Sequence, residues 1–513
     1  MNSETSAKGI RGFFRRRQHP VKIIQYIAKY LWLMLIPLAK YLIADHFNFE
    51  TWLRTNWVDI LTLSVVVGYG ILRWAFIYFD IEDDSIIAHT GYFGIERTRV
   101  YFSEMSTMSL CQGYLYRLIG ACTIYIDTDA KSIQSADIRL DVSSKQAFYI
   151  YGLATAKCAE KPKYIFNSQK SSLIIFSLLF SSTLSGMLLT LTFIYEAYRI
   201  VGRELEEEFI QRVNQTLEKL AVHIPKYLLI AAAVVAGSWL VSFLSNLLRH
   251  WNFSCTRCAD MLLVSSGKGT KRRHVIMRDR INFIDYQQSM LMRIFGICMV
   301  SAQCTGYGKR RLEISALVPI TTVARAETSI RLLMPDTPTG MKAGVRTGKG
   351  DLLRYTREPM LGCLIPFVAY KLLCRYIPAF EGLVKAIPDW QESLRNLAGL
   401  SVIPLVWLTV VKASAAFTTS VGFENGCCML CYCKFFRFHR AVVSLDRISK
   451  ITVTQNPFQR FLNGTCHLRV YTSTENRSCH KIRWLNYERL MKALEENGLS
   501  PAEESGETVP AAE

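Results

Sequence analysis

Acidic side chains are the minority charge in this 513-residue chain: 42 Asp plus Glu stand against 61 Lys plus Arg, a formal net charge of +19. Charged residues make up only 20% and hydrophobic residues 50%, with a mean hydropathy of +0.15. So little charge on so apolar a chain excludes a disordered protein, and the combination with strong basicity is unusual for a soluble enzyme. The 29 Gly and 15 Pro follow no short period, which excludes collagen-like and mucin-like classes. The 15 Cys lack the even spacing of a secreted disulfide scaffold and read as reduced thiols.

Catalytic signatures are missing as well. There is no HExxH and no GxSxG. Gly267-Lys268-Gly269 and Gly348-Lys349-Gly350 have neither the Ser or Thr after Lys nor the earlier glycine of a phosphate-binding loop. Cys255 with Cys258, and Cys428 with Cys431, form CxxC pairs, but they read as ordinary strand positions rather than halves of a zinc site. The expectation is a non-enzyme without cofactor or metal, and without a nucleic-acid module.

What the chain does have is long apolar runs. A membrane-spanning helix needs about 20 mostly apolar residues, and six stretches read that way, in three pairs: 22–44 with 57–79, 171–195 with 225–248, and 359–380 with 399–417. Lys371, Arg375 and Lys412 interrupt the third pair near its ends, where long stems can reach the interface. The basic stretch GIRGFFRRRQHPVK precedes a run too long for a cleaved signal and reads as a retained anchor.

Charge asymmetry orients these hairpins. Residues 1–22 carry 6 basic and 1 acidic side chain, 80–170 carry 10 and 11, 249–357 carry 19 and 7, and 418–498 carry 12 and 6. The loop 196–223 carries 4 basic and 6 acidic residues. This positive-inside pattern places the N-terminus and the three large segments in the cytoplasm.

Those segments contain a repeat. Shifting by 176 and then by 167 aligns RTRVYFSEMSTMSLCQGYLYRLIG from Arg97, RHVIMRDRINFIDYQQSMLMRIFG from Arg273, and RAVVSLDRISKITVTQNPFQRFLN from Arg440 without a gap. Arg97, Arg273 and Arg440 coincide, as do Gln112, Gln288 and Gln455, and Arg117, Arg293 and Arg460. Apolar columns such as Val100, Ile276 and Val443 keep the register, while Gly120 and Gly296 face Asn463 and the third glycine, Gly464, comes one residue late. Around each block lie short β-like runs, and each copy ends on a short helical pattern.

The order strand, Arg, strand, Ile-x2-Ile, Gln-x4-Arg-x2-Gly, strand, placed after an apolar pair, resembles the bacterial pleckstrin-homology-like domain of membrane proteins, and three copies resemble its YdbT-like branch. The resemblance implies an α+β membrane protein with six transmembrane helices in three hairpins, each hairpin followed by a cytoplasmic pleckstrin-homology-like β-barrel or split sandwich with a C-terminal helix. It also implies a non-enzymatic protein, associated in some bacteria with envelope stress and tolerance of antimicrobial peptides.

The domain reading is therefore a basic N-terminus 1–21, hairpin 22–79, module 80–170, hairpin 171–248 with an external amphipathic loop 196–224, module 249–357, hairpin 358–417, module 418–498 and an acidic tail 499–513. The repeated Gln and Arg either read a ligand or fix a turn by bonding backbone carbonyls, and their recurrence in every copy favours the turn. Lys268, Lys271, Arg272 and Arg273 form a basic run between two strand-like segments, suited to anionic headgroups or to a solvated turn. The functional expectation is a scaffold in the bacterial plasma membrane whose modules bind a protein partner, such as a related membrane protein with a similar module, or anionic lipid. A transporter or channel component is the alternative.

Overall fold

Where the sequence alternates short apolar runs with charged or glycine-bearing turns, strands form, because successive side chains on an extended chain face opposite sides. The structure is a computed structural model that describes residues 17–28, 57–90, 96–129, 136–156, 162–180, 226–304, 306–307, 315–348, 351–376, 390–434, 436–462, 464–472 and 479–499. The chain divides into two compact units, 1–280 and 281–513.

In the first unit, helix α1 (Trp57–Phe76) leads into an antiparallel meander of β1 (Tyr78–Ile81), β2 (Ser85–Thr90) and β3 (Glu96–Tyr101). Then follow β4 (Met105–Gln112), the one-turn helix α2 (Tyr114–Leu118), β5 (Ala121–Thr128), β6 (Ile138–Ser143) and α3 (Ser144–Ala154). Helix α3 starts at a reciprocal cap: Ser143 Oγ accepts the Gln146 N–H, and Gln146 Oε1 accepts the Ser143 N–H. Next come β7 (Tyr164–Asn167), α4 (Lys170–Phe180), α5 (Lys226–His250), β8 (Ser254–Cys258), β9 (Met261–Ser266) and β10 (Lys271–Met277). Seven strands form one sheet in the order β6-β5-β4-β10-β9-β8-β7. Phe79, Ile86 and Val100 of the three-stranded sheet pack with Met108, Ile124, Leu140 and, from α3, Ile150, all buried, so the two sheets enclose one core. Each such side chain contributes about 1.5–3 kcal/mol by leaving water. Lys22, just ahead of this core, forms a buried ion pair with Asp141 on β6.

The second unit runs β11 (Phe283–Ser289), α6 (Met290–Ile294), β12 (Ile297–Gln303), β13 (Ala316–Thr322), α7 (Val323–Leu333), β14 (Val345–Arg346), α8 (Leu352–Gly362), α9 (Ile365–Tyr376) and α10 (Trp390–Thr418). It continues through β15 (Ser420–Glu424), β16 (Cys427–Lys434), β17 (Arg437–Ser444), β18 (Ile448–Thr454), α11 (Pro457–Leu462), β19 (Thr465–Thr472), β20 (Cys479–Asn486) and α12 (Tyr487–Glu496). Its large sheet has the order β13-β12-β11-β17-β16-β15-β14, beside a three-stranded sheet β18-β19-β20. Asn425 and Gly426, with φ of 49° and 69°, turn β15 into β16 as a two-residue hairpin requires. Leu430, Val443, Leu468, Ile482, Leu490 and Leu494 form the core.

One order of elements occurs three times: three strands, a fourth strand, a short helix, two strands and a closing helix. The copies are β1–β6 with α2 and α3, β8–β13 with α6 and α7, and β15–β20 with α11 and α12. The fourth strand of one copy pairs antiparallel with the third strand of the next. In the first unit β4 pairs with β10, setting Leu110 opposite Arg273; in the second, β11 pairs with β17, setting Tyr286 opposite Arg440. The sheet of one copy thus runs into that of its successor.

The expectation of six transmembrane helices is corrected. Among the described residues one helical stretch, Ser401–Thr418 within α10, is long and apolar enough to cross a membrane. The apolar part of α1 covers only Ile60–Phe76, and Tyr78 and Phe79 already belong to β1, where Phe79 is core. The run 359–380 is not one helix: α8 ends at Gly362, α9 begins at Ile365 after a turn, and Arg375 closes the last turn of α9. Mean hydropathy counts apolar residues without registering such a break. Residues 1–16, 29–56, 181–225, 377–389 and 500–513, which include most of the basic N-terminus, the rest of the expected hairpins, the loop 196–224 and nearly all of the acidic tail, lie outside the described residues.

Candidate functional site

The repeated glutamines occupy equivalent positions at or just after the end of the fourth strand. Gln112 Nε2 donates to the carbonyl of Ala121 at 3.1 Å, Gln288 Nε2 to that of Ile297 at 2.9 Å, and Gln455 Nε2 to that of Thr465 at 3.1 Å. Each bond closes the loop around the short helix, and the third spans one residue more, where the third glycine is late. Those glycines adopt the left-handed backbone a Cβ disfavours, with φ of 68° at Gly120, 62° at Gly296 and 53° at Gly464. Their carbonyls accept the N–H of Ser144, Val323 and Tyr487, the first residue of each closing helix.

Arg117, Arg293 and Arg460 lie in the last turn of α2, α6 and α11. The guanidinium of Arg293 sits 5.0 Å from the centroid of Phe438. Arg273 and Arg440 lie at the two sheet joints: Arg273 is 5.0 Å from the ring of Phe148 on α3, and Arg440 is 4.4 Å from the ring of Tyr286. Arg97, first in that column, is exposed on β3, whose one described neighbour is β2.

The basic run 268–273 is spread along a hairpin. Gly267, at φ 99°, turns the chain so that its N–H reaches the carbonyl of Trp251, and Lys268 lies 5.5 Å from the Trp251 ring. Lys271 is exposed, Arg272 half-buried, and both pair into β4 through β10. Cys255, Cys258 and Cys428 are buried strand residues, and burial pushes the Cys255 thiol up to about 12. Among the described residues no three His, Cys, Asp or Glu converge as metal ligands.

The second unit holds a cavity of about 820 Å³. Alternation along β11 sends Phe283, Asp285 and Gln287 to its wall, α8 adds Arg354, Tyr355 and Glu358, and α10 adds Leu408 and Lys412. Tyr432 and Lys434 come from β16, His439 from β17, and His480, Lys481, Arg483 and Trp484 from β20.

Asp285 is 4% exposed; its Oδ2 accepts from Gln287 Nε2 at 2.9 Å and lies 2.8 Å from His439 Nδ1, while Oδ1 has no hydrogen-bond partner among the described residues. His480, 2% exposed, bonds Tyr432 Oη through Nδ1 at 3.0 Å, and its Nε2 has no partner among the described residues. Burial, reinforced by His439 and Lys434 against the opposing pull of Asp285, lowers the His480 pKa to about 4, so its ring is neutral near pH 7.

Five cations line the cavity against Asp285 and Glu358. Arg354 bonds buried Asp351 at 2.6 Å, and Arg483 sits 3.6 Å from Glu358. Lys412, Lys434 and Lys481 have no carboxylate partner among the described residues. The field is felt beside the cavity: burial, then Arg483, Lys481 and Arg469, lower the His467 pKa to about 4. Trp484 holds a left-handed backbone, φ 63°, with its N–H 3.3 Å from His467 Nδ1 and its ring 5.2 Å from the Arg354 guanidinium. Such backbone costs about 1–3 kcal/mol and collects at functional sites.

Residues 21–154 and 214–334 both match the bacterial PH domain family. The chain belongs to the bacterial PH-domain proteins. The two matches cover the first and second copies, and residues 418–498 of this bacterial PH-domain protein repeat their element order. It is also similar to the UPF0699 transmembrane protein YdbT of Bacillus subtilis (strain 168), 19% identical over 275 residues, which are 49% of this chain and 54% of that protein. The chain thus spans about half the length of the curated relative it matches.

The cavity of this PH-domain protein was not visible as a motif, because its walls come from seven elements, β12 included through Gln303, scattered over some 200 residues. One signal was present: Asp285 puts a carboxylate in a repeat column that holds Ser109 and Thr452 in the other copies.

Proposed function

We propose that the chain is a non-enzymatic, membrane-anchored scaffold that presents its PH-like modules at the cytoplasmic face of a bacterial plasma membrane and binds a protein partner there. Support for the anchor comes from the apolar stretch Ser401–Thr418 and from the name of the YdbT relative as a transmembrane protein. The excess of basic residues in 249–357 and 418–498 supports the cytoplasmic orientation. A part in envelope stress or antimicrobial-peptide tolerance rests on the family resemblance alone.

The observation that carries the scaffold reading is the pair of sheet joints. Within each unit, neighbouring copies are fused by a strand ladder, which stiffens the modules and displays them in fixed order. Linked modules raise effective concentration, so weak single contacts sum to useful avidity. The partner that fits is a protein with a PH-like module of its own, whose fourth strand would add to the outer edge of β3 as β4 and β11 add to β10 and β17.

Crosslinking from Arg97 in native membranes tests this. The expected product joins Arg97 to a strand of a PH-like module in one defined protein and is lost in Arg97→Glu. Absence of any such product, together with solute flux through proteoliposomes of the purified chain, would replace the scaffold by a transporter.

A further inference from the structure

Docking at β3 leaves unused the short helix that follows the fourth strand of each repeat. Leu115, Leu118 and Ile119 on and beside α2 are exposed, and so are Leu291, Ile294 and Phe295 on and beside α6. Leu118 and Phe295 are each 70% exposed, so these groups stand clear of the protein rather than rimming its core. Their columns coincide: Leu115 with Leu291, Leu118 with Ile294 and Ile119 with Phe295, and the third copy has Phe458, Phe461 and Leu462 there. Spacings of three and four residues put each trio on one face of a helical turn. The one charge between Gly113 and Gly120 is Arg117, and the one between Ser289 and Gly296 is Arg293. Single exposed apolar residues are ordinary, but a group repeated in register marks a surface that meets something apolar.

The position of α6 shows what that is. Met290, at its start, packs against Val411 and Ala415 of α10 together with Phe438. Val411 lies seven residues inside Thr418, the end of the membrane-length stretch, which is about 10 Å along a helix. The exposed face of α6 therefore sits level with the apolar stretch, not beyond its end. In the first unit Gln112, the end of β4, pairs with Lys271, and the hairpin before Lys271 is tied to the end of α5. There the N–H of Gly267 donates to the carbonyl of Trp251 and that of Lys268 to Leu248. Helix α2 begins two residues after Gln112, at the sheet end into which α5 runs.

We propose that α6, and α2 as its repeat equivalent, are membrane-dipping tips whose apolar faces enter the acyl-chain boundary of the bilayer, with Arg293 and Arg117 reaching back to the headgroup level. Interfacial helices bury their apolar faces by about 5–10 Å, the level of Val411 on α10. A single arginine on a long stem suits that boundary. The occupant is lipid rather than protein, because one lipid surface meets the same columns in every copy, whereas a protein would need a matching groove for each. Insertion of this kind draws on apolar area and needs no anionic headgroup. The proposal rests on the membrane-anchored reading and makes the modules partly immersed instead of held off the surface.

The test places dansylalanine singly at Leu118, Ile294, Val406 and Glu424 of the full chain in phosphatidylcholine nanodiscs, with a nitroxide either high on the acyl chain or on the headgroup. Val406, in the apolar stretch, reports the anchor; Glu424, exposed at the end of β15 away from α10, reports water. Emission at Leu118 and Ile294 should be blue-shifted from that at Glu424 and lost to the acyl-chain nitroxide as at Val406, with no change on adding salt. Emission like that at Glu424, or quenching by the headgroup nitroxide alone, overturns the proposal. So does blue-shifted emission that neither nitroxide quenches, the signature of cover by protein or by a second copy. Quenching at Val406 without quenching at Ile294 removes the tips and leaves the anchor; quenching at Ile294 without Val406 keeps the tips and removes the anchor.

Discussion

Arg440 on β17 reaches Glu327 on α7 with Nη2 2.7 Å from Oε1, an ion pair that ties the first sheet of the third repeat to the closing helix of the second. The equivalent arginine at the other joint, Arg273, packs on Phe148, the residue of α3 that corresponds to Glu327 in α7. Fusion between copies thus has one address on each side, filled once by a ring and once by a carboxylate.

A double-mutant cycle of Arg440→Ala and Glu327→Ala should give a coupling of about 0.5–1 kcal/mol, since both side chains are about a quarter exposed and solvent screens the pair. Thermal or denaturant unfolding in detergent reads it, with the coupling falling as salt rises.

Asp141 should be far less tolerant. Its carboxylate is fully buried against Lys22, and Asp141→Ala strands that ammonium without its partner at a cost of about 3–5 kcal/mol. The measurement is the Tm of the variant, expected to fall sharply, whereas the paired replacement Lys22→Met/Asp141→Leu should recover most of the loss.

Acid should loosen the second unit in a defined window. His480 and His467 both have folded pKa values of about 4 against about 6.5 for an open histidine. Between those values the unfolded chain binds protons that the folded chain refuses, so their contribution is fully present above about pH 6.5 and is lost as pH falls toward 4. The Tm of the full chain should decline over that range, and His480→Asn should flatten the decline.

The two outermost strands of the repeat are blunted. Arg99 on β3 is exposed and paired to Glu82 at 3.0 Å, where the same column holds buried Val275 and Val442. Lys450 on β18 is exposed where Thr107 and Phe283 are buried. Charged residues on an edge strand oppose unselective edge-to-edge pairing between copies and leave the edge to a strand of complementary charge. Arg99→Val with Lys450→Thr should therefore produce larger assemblies than the parent chain in the same detergent, read by light scattering during size exclusion.

Part of this architecture is legible in the residues. Apolar columns such as Val100, Ile276 and Val443 mark core strands, and the family match stands on the same stretches that carry the repeat. The joints are not legible, because β4 and β11, which enter a ladder with a neighbouring copy, share the repeat's mix of apolar and polar residues with β18, which has no such neighbour among the described residues. Hydropathy overcounted membrane helices for a related reason: it sums residues such as those of α8 and α9 without the turn at Cys363 and Leu364. The cavity was hidden because His439, His480 and Asp285 meet only after β11, β17 and β20 are placed.

The central claim is that neighbouring modules are fused through continuous sheets, and hydrogen exchange of the full chain in lipid nanodiscs tests it most directly. The account predicts that amides of β10 and β17 are protected as strongly as those of the interior strands β5 and β19, while β3 and β18 exchange faster. Exchange of β10 and β17 as rapid as that of β3 would contradict it.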